Sequence, residues 1–235
     1  MLKYTDDTYL LVPSVNSHLI PHELQHISEW AASNTLNLNV SKFSEIIFTS
    51  SYQHRKTPLP ATIPGISRSD HIIILGVVFS STLKFSQHVE NILSKAATTM
   101  FALRTLRAHG MAQASLHDIC KATLITQITY ASPAWNGFLS VADKNRLQLS
   151  IVTKAKRFGY LPPNYDSFDQ LCANADEKLF FNVRYNSNHV HKLLPSVKCS
   201  GYNLRSHHHN YTLPNNNRTL ISNNFINRML FADMY

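Results

Sequence analysis

Two adjacent carboxylates, Asp6 and Asp7, are the residues in this chain best placed by type and spacing to do chemistry. Hard divalent cations such as Mg²⁺ take oxygen ligands, and carboxylates that bridge two of them can clamp the attacking and leaving oxygens of a phosphoryl displacement. The pair stands between apolar Leu2 and the run Tyr9-Leu10-Leu11-Val12, which predicts strand, tight turn and strand with both acids at the tip. A solvated hairpin turn is the plain alternative. A second cluster, His207-His208-His209 with Cys199, lacks the paired ligands at turn spacing that zinc requires and reads as a solvated tract.

Bulk properties narrow the partners. The chain has 235 residues, 44% hydrophobic and 15% charged, which describes a folded protein rather than a disordered one. Its net charge of +8 is unevenly spread: residues 84–160 hold 10 basic and 3 acidic side chains, whereas residues 1–83 hold 5 and 6. An anionic partner for the middle third follows. Cys120, Cys172 and Cys199 are odd in number and far apart, so no disulfide partner is expected. Asp6-Asp7 interrupts any signal-peptide core, and the most apolar run, Ile72 to Phe79, is too short to span a membrane. An intracellular protein, nuclear or cytoplasmic, is expected, with no membrane partner.

The elements that would carry these residues read as α+β. A helix with Leu24, Ile27, Trp30 and Ala31 on one face is predicted over about 21–33. Period-two alternation over Leu36 to Val40 and the β-rich Glu45 to Thr49 predict an extended pair bending at Lys42. Residues 50–70, with Pro58, Pro60, Pro64 and Gly65, read as a loop. His71 to Phe79 reads as one continuous buried strand with a bulge at Gly76.

Helices are expected from Ser86, as N-cap, to Ala108, with the stripe Val89, Leu93, Ala96, Met100, Leu103 and Leu106, and over 112–129. Ser140 to Phe158 and a stretch opened by Ser167 follow, each with a capping signature. A final helix at Phe225 to Phe231 is expected to dock back, after a polar stretch at 214–217 that reads as turn or disorder.

The order of these pieces carries a resemblance. Tyr4-x-Asp6-Asp7, a helix, Leu36-x-Leu38-Asn39 with Lys42, Ile46-x-Phe48, a Pro-rich loop, Leu75-Gly76-Val77, then Leu83-x-Phe85-x-x-His88-Val89 resembles the palm of non-LTR retrotransposon reverse transcriptases. Tyr130-Ala131-x-x-x-Trp135 resembles a run in the helical thumb of the same family. Lys42 is followed by Phe43, where relatives often carry a small hydroxyl residue.

The resemblance implies an RNA-directed DNA polymerase that joins a primer 3′-hydroxyl to a nucleotide α-phosphate with Mg²⁺ or Mn²⁺, on an RNA template with a DNA primer and deoxynucleotide triphosphates. It implies a palm remnant over 1–83, a basic thumb over 84–160 and a helical extension over 161–235. Asp6 and Asp7 would be metal ligands, Lys42 a residue near the triphosphate, Tyr4 a residue beside the primer end, and Leu75 and Gly76 part of a hairpin that holds the primer. Lys95, Arg104, Arg107, Lys144, Arg146, Lys154, Lys156 and Arg157 would face the template–primer duplex. The family has a further metal-binding Asp upstream of this turn, and only Met1-Leu2-Lys3 precede it here. The chain is therefore expected to be a C-terminal part of such an enzyme, inactive alone, with its metal held only in the complete enzyme. A non-catalytic nucleic-acid-binding helical module and a structural or interaction protein are the competing readings.

Overall fold

Local sequence signals decide where most helices begin, and tertiary packing decides where the strands pair. The computed structural model describes residues 2–4, 7–49, 59–186, 190–198, 209–214 and 219–232. Helix and strand are mixed, as the α+β expectation requires, and the chain forms two compact units: residues 1–45 with 59–69, and residues 46–58 with 70–235.

In the first unit, Leu2–Tyr4 (β1) pairs antiparallel with Asp7–Tyr9 (β2), Tyr4 opposite Asp7 and Leu2 opposite Tyr9. The expected hairpin is present, and Asp7 is the first residue of its second strand. Ile20–Ser33 (α1) has Pro21 in its first turn, where the missing N–H costs nothing. Leu24 and Ile27 are half-buried and Ala31 is buried, at helical spacing, while Trp30 is exposed.

The extended pair around Lys42 does not form. Residues 36–39 lie outside any strand, Val40–Lys42 is a 3₁₀ turn, and Ser44–Glu45 (β3) pairs in parallel with Ser67–Arg68 (β4) from the Pro-rich segment. Alternation tells which side chains share a face, not which edge supplies hydrogen bonds. Here that edge is fixed by Arg68, whose Nε meets Glu45 Oε1 at 2.6 Å and whose other nitrogens donate to the Pro60 and Ala61 carbonyls.

In the second unit the apolar run 71–79 is not one strand. His71–Ile74 (β5) and Val77–Ser80 (β6) form an antiparallel hairpin, with Ile74 opposite Val77. Leu75 and Gly76 both have positive φ, +47° and +82°, the turn geometry whose twist matches two paired strands. Glycine takes that conformation freely and leucine does not, which is why the sequence conceals the turn. Burial differs between the two strands: Val77 and Val78, which point to opposite faces of β6, are both buried, whereas β5 alternates and Ile73 is 65% exposed.

Ser86–Ala108 (α2) buries His88, Val89, Ile92, Ala96, Met100 and Leu103. Its N-cap is Phe85, without a side-chain bond; Ser86 Oγ instead donates to Asp143 Oδ2 at 3.0 Å, tying α2 to a later helix. Residues 113–129 (α3) run as one helix with a π segment at Lys121–Ile125, and residues 141–157 (α5) with another at Gln148–Thr153. The wider π turn brings neighbouring residues to the same side, so Leu124 with Ile125 and Ile151 with Val152 are buried in adjacent pairs. Between them, Ser132–Trp135 (α4) follows a left-handed Ala131.

Of the three predicted hydroxyl caps, Ser86, Ser140 and Ser167, the latter two are found. Ser140 Oγ accepts from the Asp143 N–H at 3.1 Å, and Ser167 Oγ from the Gln170 N–H at 3.2 Å at the start of Phe168–Tyr185 (α6). After the short Thr219–Ser222 (α7), Phe225–Phe231 (α8) docks on α6 as expected, burying Met229 and Leu230 against Phe180. Pairs of helices, the hairpin and Trp135 share one apolar core.

Candidate nucleic-acid interface

The aspartate turn sits on the β1–β2 hairpin. Thr5 and Asp6 lie outside the described residues. Asp7 is exposed and accepts from Tyr9 Oη at 3.3 Å; Tyr4, across the ladder from it, is 61% exposed. Lys42 is exposed on its 3₁₀ turn, away from the hairpin in sequence. Among the described residues no group of three His, Cys, Asp or Glu side chains could hold a metal ion. His207, His208 and Cys199 also lie outside the described residues, and His209 is buried with its Nε2 2.9 Å from the Leu230 carbonyl oxygen.

The other motifs come together in the second unit. Tyr130 Oη donates to the Leu75 carbonyl at 3.0 Å, and a Cβ on Gly76 would meet the Tyr130 ring at 3.6 Å. Trp135, fully buried, donates from Nε1 to the Tyr130 carbonyl at 3.0 Å. Its ring meets His88 edge-on at 5.1 Å and stacks on Phe168 at 6.3 Å. Phe85 packs on Phe79 at 5.3 Å. Three separate sequence motifs, Leu75-Gly76-Val77, Phe85 to Val89 and Tyr130 to Trp135, thus form one packed cluster. Packing accounts for Trp135, and Tyr130 serves as the strut beneath the hairpin turn.

His88 shows the electrostatic cost of that cluster. Its Nδ1 faces the Val78 N–H at 3.4 Å, its Nε2 is buried without a hydrogen-bond partner, and burial, with Lys95 adding to it, lowers its pKa from 6.5 to about 4. The unfolded chain therefore takes up a proton first as pH falls. Stability from this group is complete above pH 6.5, is lost between 6.5 and about 4, and changes no further below. On the order of 2 kcal/mol should separate pH 7 from pH 4.5 through this residue. Urea titrations of the wild type and of His88→Leu at both pH values check it: the variant should lose less stability on acidification, and equal losses would contradict the assignment.

The cations divide into two classes. Arg146 pairs with Glu90 at 2.6 Å and Asp143 at 3.4 Å, and Glu90 holds its guanidinium above the ordinary range. Lys144 lies 3.5 Å from Asp169. Arg107 donates to the Phe158 carbonyl at 2.7 Å and lies 4.9 Å from the Tyr160 ring centroid; Lys156 donates to the Tyr165 carbonyl. These four cations are already engaged by groups of the fold.

Lys95, Arg104, Lys154 and Arg157 are exposed and make no ion pair among the described residues. Lys154 and Arg157 border an open depression with Leu149, Ser150 and Thr153, and Arg157 lies 5.6 Å from the Phe158 ring. Because Arg107 reaches Phe158, the end of α2 and the end of α5 lie side by side. Sequence reasoning missed Phe101, 71% exposed on α2 one turn before Arg104. Its position next to Met100, off the apolar stripe, was the available signal. Both described thiols, Cys120 and Cys172, are buried and free, and burial pushes them up to about 11 and about 12. No helix among the described residues is long and apolar enough to cross a membrane. No family model, curated protein or solved structure matches this chain.

Proposed function

We propose that the chain is part of an RNA-directed DNA polymerase of a mobile element, and that its helical unit grips the template–primer duplex through α2 and α5. The observation that carries this reading is the set Lys95, Arg104, Lys154 and Arg157: four exposed cations on α2 and α5 without acidic ion-pair partners among the described residues, with the exposed ring of Phe101 one turn from Arg104. A solvated helix face normally mixes both signs, as Glu90 with Arg146 does, whereas a phosphate-binding face leaves its cations available. Convergence of the hairpin turn with the Tyr130 and Trp135 run adds support, since it gives the Leu75-Gly76 turn a rigid backing.

Nucleotidyl transfer is assigned to the complete enzyme with its metal ions and deoxynucleotide triphosphates.

Replacing Lys95, Arg104, Lys154 and Arg157 together by glutamate should weaken binding to an RNA–DNA duplex by at least about 100-fold at low salt. Lys144→Gln, which removes an already compensated charge, should change affinity by less than about threefold. Fluorescence anisotropy on a labelled duplex distinguishes the outcomes. Unchanged affinity in the fourfold variant would place the contact elsewhere.

A further inference from the structure

Helix α1 carries a pair of imidazoles that the duplex grip does not use. His22-Glu23-Leu24-Gln25-His26 has the H-E-x-x-H form, in which two histidines four residues apart stand one above the other on a helical face and can close on a single metal ion. The helix is continuous from Ile20 to Ser33, so that spacing holds in the fold. Its packed side is Leu24, Ile27 and Ala31, and His22 and His26 are exposed together on the side away from them.

The surroundings select a cation. Residues 20–33 hold Glu23 and Glu29 and no lysine or arginine, 0 basic against 2 acidic side chains, which disfavours phosphate or a nucleic-acid strand as the occupant. Neutral imidazole suits Cu²⁺, Ni²⁺ and Zn²⁺, whereas Mg²⁺ and Ca²⁺ take oxygen ligands. Neighbouring side chains do not complete a larger set. Glu29, on the same face one turn after His26, accepts from Gln25 Nε2 at 2.8 Å. His18 belongs to the 3₁₀ turn Ser14–Leu19, whose tighter winding carries it off the line of His22 and His26. A hydrolytic zinc centre takes three protein ligands, and among the described residues no such group is found. The pair is a two-point chelate rather than a peptidase centre.

We propose that His22 and His26 chelate one divalent transition-metal ion, Cu²⁺ most tightly and Zn²⁺ less so, with water in the remaining positions. Holding both rings clamps the first two turns of α1, so metal and helix stabilise each other. The site stands whether or not the chain grips a duplex.

The test titrates CuCl₂, and separately ZnCl₂, into the untagged full chain by isothermal titration calorimetry. His207→Ala/His208→Ala is run in parallel to account for the histidine tract. Wild type and the tract variant should both bind Cu²⁺, and more tightly than Zn²⁺. His22→Ala and His26→Ala should each weaken Cu²⁺ binding by about 10-fold or more, because each leaves a single ligand where there was a chelate. His26→Ala/Ser28→His keeps the number of histidines but sets the pair roughly 120° apart around the helix, and should bind as weakly as His26→Ala. Positions 22, 26 and 28 are exposed, so these variants should keep the wild-type circular dichroism spectrum. The proposal is overturned if wild type binds neither ion, if the single variants bind as wild type does, or if His26→Ala/Ser28→His retains wild-type affinity. Loss of all Cu²⁺ binding in the tract variant also overturns it.

Discussion

Trp135→Ala is expected to destabilise the helical unit by about 3–5 kcal/mol, the range for emptying a buried large aromatic site. The ring is fully buried between His88 and Phe168, and its Nε1 satisfies the Tyr130 carbonyl. Truncation leaves a cavity and strands that carbonyl together. Its second effect is local: Tyr130, whose hydroxyl holds the Leu75 carbonyl, loses the anchor on its own backbone. Trp135→Phe should recover most of the stability, because it refills the volume and forfeits chiefly the hydrogen bond. Chemical denaturation followed by circular dichroism at 222 nm measures both variants. A loss below about 1 kcal/mol for the alanine variant would show that the cluster is not the centre of the core.

Asp176→Ala should cost a similar amount, about 3–5 kcal/mol, by a different mechanism. Asp176 is 4% exposed and takes both Arg228 nitrogens, at 2.5 and 3.4 Å, while Arg228 also donates to the Pro133 and Asn223 carbonyls. One side chain, Arg228, thus fastens α8 to α6 and to α4. Gly137 lies beneath it: a Cβ there would overlap the Asn223 carbonyl and the Arg228 side chain, so the glycine makes the docking possible. Removing the carboxylate leaves a largely buried guanidinium without its counter-charge. Replacing both partners, Asp176→Leu with Arg228→Met, should restore much of the loss, since an apolar pair carries no desolvation cost. Equal destabilisation in the single and double variants would mean that shape, rather than charge, dominates this contact.

These two contacts also show what was legible in the sequence. Ser140 and Ser167 announce their helices because a cap bond spans three residues, and the stripe on α2 is visible because periodicity is local. Ser86 misleads for a tertiary reason: its hydroxyl turns to Asp143, 57 residues away. The run 71–79 reads as one strand because its turn uses leucine at a positive φ, which no propensity signals. Lys42 was placed between two strands that lack each other as partners, since β3 pairs instead with residues more than 20 positions later.

The candidate interface follows the same rule. That the middle third is basic was readable from composition; which cations are compensated was not. Glu90 and Arg146 are 56 residues apart, and Arg107 spends its charge near the Phe158 carbonyl and the Tyr160 ring. Only folding separates these structural cations from Lys95, Arg104, Lys154 and Arg157.

The salt dependence of wild-type binding to an RNA–DNA duplex tests that reading most directly. Four phosphate contacts predict that log K falls with log salt with a slope of about −3 to −4, so that affinity drops more than about 50-fold between 50 and 200 mM salt. Binding that is indifferent to salt, or no binding to the duplex at 50 mM salt, would contradict it.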